Sequence, residues 1–278
     1  MNARVGLLVV AGVAGVAGVA GLAACVSEDP ARPPRVGTCT DAGCAVSPPH
    51  GGGTTDAGAD SVADAAPDAE AVTLRGTVGT FLDVGLAQTA PAAGVRLTVG
   101  FDGVTGGTVT DETTDGVFEV AGALASPAAW ATVEAEPGAT DWLTTLTLVD
   151  TADEAPVEPL VVRLSLIDTL LALGQVTAAR SSSGAVVMLQ VVSLAQGLPA
   201  AGARVVRHGG DALLYADAGT WSGIADETDS TGWVLVLNVP ASSGSLREIA
   251  VEGPSGAEYT AALRVAAGGV TVAGVAVE

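Results

Sequence analysis

Trp233-Val234-Leu235-Val236-Leu237-Asn238-Val239 carries an apolar side chain at every position except Asn238. Strand side chains point alternately to opposite faces, so this run has to be covered on both sides. It is therefore central in its sheet or pressed against another domain. The residues just before it, Thr228-Asp229-Ser230-Thr231-Gly232, are a hairpin signal, because Asp and Thr side chains accept hydrogen bonds from turn amides and glycine supplies backbone freedom. Further out, Val72, Leu74, Gly76 and Val78 alternate with Thr73, Arg75 and Thr77, the pattern of a strand with one wet face. Similar runs predict strands over 95–101, 117–120, 130–135, 143–149 and 160–167. A second set covers 185–194, 203–208, 212–216, 233–239, 248–252, 259–265 and 270–277, with a short helix over 170–173. Gly, Pro, Asp and Ser clusters separate them, which predicts an all-β chain of antiparallel sandwiches.

An internal repeat divides these strands in two. Pro91-Ala92-Ala93-Gly94-Val95-Arg96 returns as Pro199-Ala200-Ala201-Gly202-Ala203-Arg204, and Asp111-Glu112-Thr113 returns as Asp226-Glu227-Thr228. A period of this size signals a duplicated domain rather than a solenoid. The expected organisation is a leader over 1–24, an acidic linker over 25–71, and β-sandwich domains over 72–169 and 170–278.

The whole-chain chemistry excludes several functions. Among 278 residues there is no lysine; 11 arginines face 31 acidic residues for a net charge of −20. A Walker phosphate loop needs a lysine, and so does a pyridoxal Schiff base; a chain this acidic repels a phosphate backbone, so no nucleic-acid partner is expected. Only 3% of residues are aromatic against 49% hydrophobic, so Val, Leu and Ala build the core.

At the amino terminus, Arg4 precedes an uncharged run over 5–24 that ends at Cys25. Basic start, apolar stretch and small residues before the cut are the order of a secretory leader. Five glycines, Gly6, Gly12, Gly15, Gly18 and Gly21, interrupt the run and argue against a stable spanning helix. Leu22-Ala23-Ala24-Cys25 resembles the lipobox of bacterial lipoproteins, in which cleavage falls before the cysteine and its sulfur is lipidated. That resemblance implies a signal peptide, a diacylglyceryl and palmitate-type anchor on Cys25, and attachment to the membrane. Val26 stands where that family's inner-membrane retention signal has aspartate, so the outer membrane is expected. The linker holds six prolines, six glycines and eight acids without an aromatic residue, a composition that cannot offset the entropy of ordering. Within it Cys39 and Cys44 form an even pair in a disulfide-permissive compartment, the candidate disulfide.

Pro-x-x-Gly-x-x-Val opening a strand, followed by Thr-Asp-x-x-Gly before an apolar strand, resembles the carboxypeptidase regulatory-like domain, a transthyretin-like, Ig-like sandwich. Pro199, Gly202 and Val205 match the first element and Thr228, Asp229 and Gly232 the second; Gly116 and Phe118 match the looser first copy. The resemblance implies an accessory role, in envelope structure or protein interaction, and no catalysis. Neither His50 nor His208 is followed by a glutamate three residues on, as a zinc peptidase requires, and Ser222 has Thr220 where a nucleophile elbow has glycine.

Two features keep other functions open. Trp221, in Gly219-Thr220-Trp221-Ser222-Gly223, would expose an indole for stacking on a glycan, the basis of an alternative reading as a cell-surface carbohydrate-binding adhesion protein. The acidic turns Asp111, Glu112, Asp115 and Asp226, Glu227, Asp229 would offer oxygens to Ca2+. A hydrolase is the third reading; His208-Gly209-Gly210-Asp211 would set an imidazole beside a carboxylate.

Overall fold

Strands make up nearly all the regular structure of the computed structural model, which describes residues 71–92, 96–101, 108–110, 116–152, 155–241 and 246–278. The leader with Cys25, the pair Cys39 and Cys44, and the turn residues Asp111, Glu112 and Asp115 lie outside the described residues. The chain is all-β, with one short helix among the described residues.

The first half contributes β1 (Ala71–Thr77), β2 (Gly79–Phe81), β3 (Thr89–Pro91), β4 (Leu97–Phe101), β5 (Thr108–Thr110), β6 (Val117–Leu124), β7 (Ala129–Ala135), β8 (Trp142–Leu143), β9 (Thr145–Val149) and β10 (Val162–Arg163). β1 pairs with β6, and β4, β7 and β9 form an antiparallel run. Between them a core of Leu74, Val78, Leu97, Val99, Phe118 and Val120 is shut off from water. The helix α1 (Leu164–Leu173) then leads into β11 (Gly184–Ser193), β12 (Arg204–Arg207), β13 (Ala212–Asp217), β14 (Thr220–Ser222), β15 (Trp233–Pro240), β16 (Leu246–Glu252), β17 (Glu258–Arg264) and β18 (Val270–Val277). Here the order β14-β13-β15-β11-β18 makes one layer and β12-β16-β17 the other, sandwiching Val187, Leu189, Val234, Val236, Ile249 and Leu263.

β15 is central, as its double apolar face requires. Val234 and Val236 point into the sandwich, while Trp233, Leu235 and Leu237 point the other way. That second face is covered by α1 through Ile167, Leu170 and Leu171, and by Phe81 and Leu160 from the first half. Phe81 meets Trp233 edge-on, with ring centroids 5.6 Å apart at 88°. The sheet is thus the middle of three layers in this half.

The halves also share a sheet. β18 pairs with β9 at Val270–Thr145, Thr271–Leu146 and Val272–Thr147, which fuses the two sets into nine strands ordered β14-β13-β15-β11-β18-β9-β7-β4-β5. Both partners of β18 run parallel to it, where antiparallel pairing is expected from the sequence. The reason is connectivity: β17 belongs to the opposite layer, so β18 enters the large sheet by a cross-layer connection, the route parallel pairing needs.

A second departure concerns the strand expected over 160–167. It stops at Arg163, and α1 begins at Leu164, well before 170–173 and across the expected division at 169/170. Val162-Arg163-Leu164-Ser165-Leu166 alternates like a strand, but the buried positions from Ile167 on are Ile167, Leu170 and Leu171, the spacing of one helix face. Asp141 supplies the missing cap. Its carboxylate accepts the Ser165 N–H and hydroxyl, both at 3.0 Å, and its carbonyl accepts the Leu164 N–H at 2.7 Å.

Candidate functional site

The repeated motif residues converge on one feature in each half. In the second, Gly232 sits at φ +69°, its carbonyl accepts the Val191 N–H at 2.8 Å, and the Val191 carbonyl accepts the Ala200 N–H at 2.9 Å. In the first, Gly116 sits at φ +72°, its carbonyl accepts the Val78 N–H at 3.0 Å, and the Val78 carbonyl accepts the Ala92 N–H at 2.7 Å. The same three-part lock therefore ties the glycine before a core strand to the neighbouring strand and to the alanine after the motif proline. The first copy has Asp115 directly before its glycine, where the second has Asp229 three residues before Gly232, yet the lock is the same because it is built from backbone atoms.

The second copy adds a side-chain layer. Thr228, 3% exposed, donates its hydroxyl to the Ala200 carbonyl at 2.7 Å and accepts the Ala203 N–H at 3.0 Å. Asp229 Oδ1 accepts the Thr231 N–H and hydroxyl at 2.8 and 2.6 Å, and its Oδ2 accepts the Ala218 N–H at 3.1 Å. The Tyr215 hydroxyl accepts the Val205 N–H at 2.9 Å; burial pushes this phenol above its ordinary pKa, partly opposed by that bond. These side chains are occupied in holding Pro199–Val205 and Thr228–Gly232 together. Thr228→Val keeps the shape but strips the bonds from a buried carbonyl and a buried N–H. It is expected to cost about 2–3 kcal/mol in urea unfolding, with Thr228→Ser close to the parent.

Asp226 and Glu227 face Arg204, at 3.7 and 3.1 Å. The Glu227 hydrogen bond, then the Asp226 charge, hold the Arg204 pKa above its ordinary value. With Asp229 committed to turn amides and the other two aimed at a guanidinium, these carboxylates do not converge on a cation. No group of three His, Cys, Asp or Glu side chains among the described residues is arranged to hold a metal.

His208 and Asp211 are not paired. His208 Nδ1 accepts the Gly210 N–H at 3.0 Å, and burial lowers its pKa below the ordinary imidazole value. Asp211 accepts instead from Asn238 Nδ2 at 2.8 Å. Asn238, the one polar residue of its run, adopts φ +57° and also bonds the Ala179 carbonyl and the Ser181 N–H. It thereby fastens the connection between the halves to β15, a role its polarity inside an apolar strand could have signalled.

Trp221 is not presented for stacking on a glycan. It is 3% exposed, and its indole Nε1–H donates to the Val84 carbonyl at 2.6 Å, across 137 residues of chain. The small residues around it give the ring space to sink into the seam between the halves. No helix among the described residues is long and apolar enough to cross a membrane. No family model matches the chain, and no curated protein matches it.

Proposed function

We propose that the chain is a non-catalytic cell-envelope lipoprotein that presents a stiff, doubled β-sandwich from a lipid anchor, with a structural or protein-interaction role at the outer membrane. The observation that carries this is the uncharged run over 5–24 closing in Leu22-Ala23-Ala24-Cys25. Stable attachment needs more than one acyl chain, which a lipidated cysteine of this type supplies. Use of the motif side chains supports a presenting role: Thr228, Asp229, Tyr215 and Trp221 are spent on internal hydrogen bonds. A body welded across two halves transmits position from anchor to partner. The resemblance of the Pro199 and Thr228 motifs to carboxypeptidase regulatory-like domains fits the same accessory role.

Cys25→Ala tests the anchor in cells fed a labelled fatty acid. The parent protein is expected to take up label and fractionate with outer membranes, and the variant to lose both and keep its leader. Equal membrane partitioning without label overturns the proposal.

A further inference from the structure

We propose that the junction of the two halves contains a built hydration site, in which one ordered water bridges the Trp233 indole and the Gln190 amide. β18 and β9 run together only as far as Val272 and Thr147. Beyond that fork lies a cavity of about 30 Å3. Thr147 and Leu148 line it from one strand and Ala273 and Gly274 from the other, with Gln190 and Trp233 also in its wall. That volume suits one or two waters and nothing much larger, since a water needs roughly 10–15 Å3 measured this way.

The chemistry of the wall selects the occupant. Gln190 is 7% exposed and Trp233 4%. Gln190 Nε2 donates to the Thr231 carbonyl at 3.4 Å, while its Oε1 and the Trp233 Nε1–H make no hydrogen bond to another described residue. Among the described residues the one fully sealed side-chain polar atom without a partner is Thr80 Oγ1. The Gln190 oxygen and the indole N–H are therefore not sealed in apolar packing, and both residues stand in the cavity wall. One is an acceptor and the other a donor. Water satisfies both at once, whereas an apolar guest satisfies neither, a cation repels the indole N–H, and an anion repels the amide oxygen. The site joins elements of both halves.

Crystals of the full chain that resolve ordered solvent are expected to show density within about 2.7–3.2 Å of both Trp233 Nε1 and Gln190 Oε1. An empty cavity there, or the Gln190 amide turned to bond the indole directly, overturns the proposal. In solution, the Trp233 indole proton, assigned by its loss in Trp233→Phe, should show the cross-relaxation of a slowly exchanging water. Gln190→Met keeps the side-chain length without the acceptor and should abolish that signal; a signal unchanged in Gln190→Met overturns the bridge. Should Gln190→Met fail to fold, the density and the signal of the parent protein decide.

Discussion

Gly232→Ala is expected to lower stability by about 3–4 kcal/mol, measured by urea unfolding, and to lower Tm by roughly 10 °C. Two costs combine. An L-residue at φ +69° pays about 1–2 kcal/mol for the left-handed backbone. The added Cβ also collides with the Val191 carbonyl oxygen, and at 3.2 Å presses on the Pro199 ring. That oxygen accepts the Ala200 N–H, so moving it loosens the bonds that close the lock, each worth about 1 kcal/mol. Gly116→Ala is the internal control. Its φ is the same within a few degrees, but its Cβ would lie 2.8 Å from the Val78 oxygen, a milder approach. The expected order is Gly232→Ala worse than Gly116→Ala, with both destabilising. A neutral Gly232→Ala would mean that the lock is not what sets the turn.

Both glycines are legible in the sequence, since they stand one residue ahead of Val117 and Trp233 in the two copies. Local pattern carried that far because the features it encodes are local. Double-faced apolarity marks β15 as covered on both sides, and hydrophobic alternation finds the longer strands. β2, β3, β5 and β14 escape because three residues are too few to show a period. Long-range features escape for a different reason. Ser165 and Asp141 are 24 residues apart, so a helix whose cap lies on another segment looks capless in its own sequence. Direction of pairing is also invisible: Val270–Val277 would have the same composition whether it ran parallel or antiparallel to β11. Trp221 shows the limit most clearly. Its neighbours describe a loop able to expose a ring, while its burial is set by Val84, far away in the other half.

Trp221→Ala is accordingly expected to cost about 3–5 kcal/mol, the range for deleting a buried aromatic side chain, with the Val84 carbonyl losing its donor in addition. Trp221→Phe separates the terms, because it retains most of the apolar ring and removes only the donor; about 1–2 kcal/mol is expected there. The location of the loss matters more than its size. Trp221 packs in the same cluster as Phe81, Leu160, Ile167 and Leu170, which come from the first half and the helix, while the sandwich cores around Val99 and Val236 lie elsewhere. Weakening this cluster leaves each sandwich its own core but loosens the weld between them. What then holds the halves is the three-residue parallel pairing of β18 with β9, together with Trp130, Leu146 and Leu148, which pack into the core of the second sandwich. Parallel ladders are slightly weaker per residue than antiparallel ones. Urea unfolding of Trp221→Ala should therefore show a broadened or divided transition with a smaller apparent m value, where the parent protein is expected to unfold in one step. A single transition of unchanged slope, merely shifted to lower urea, would place the coupling between halves in the β18–β9 pairing and the Trp130, Leu146 and Leu148 packing rather than at Trp221.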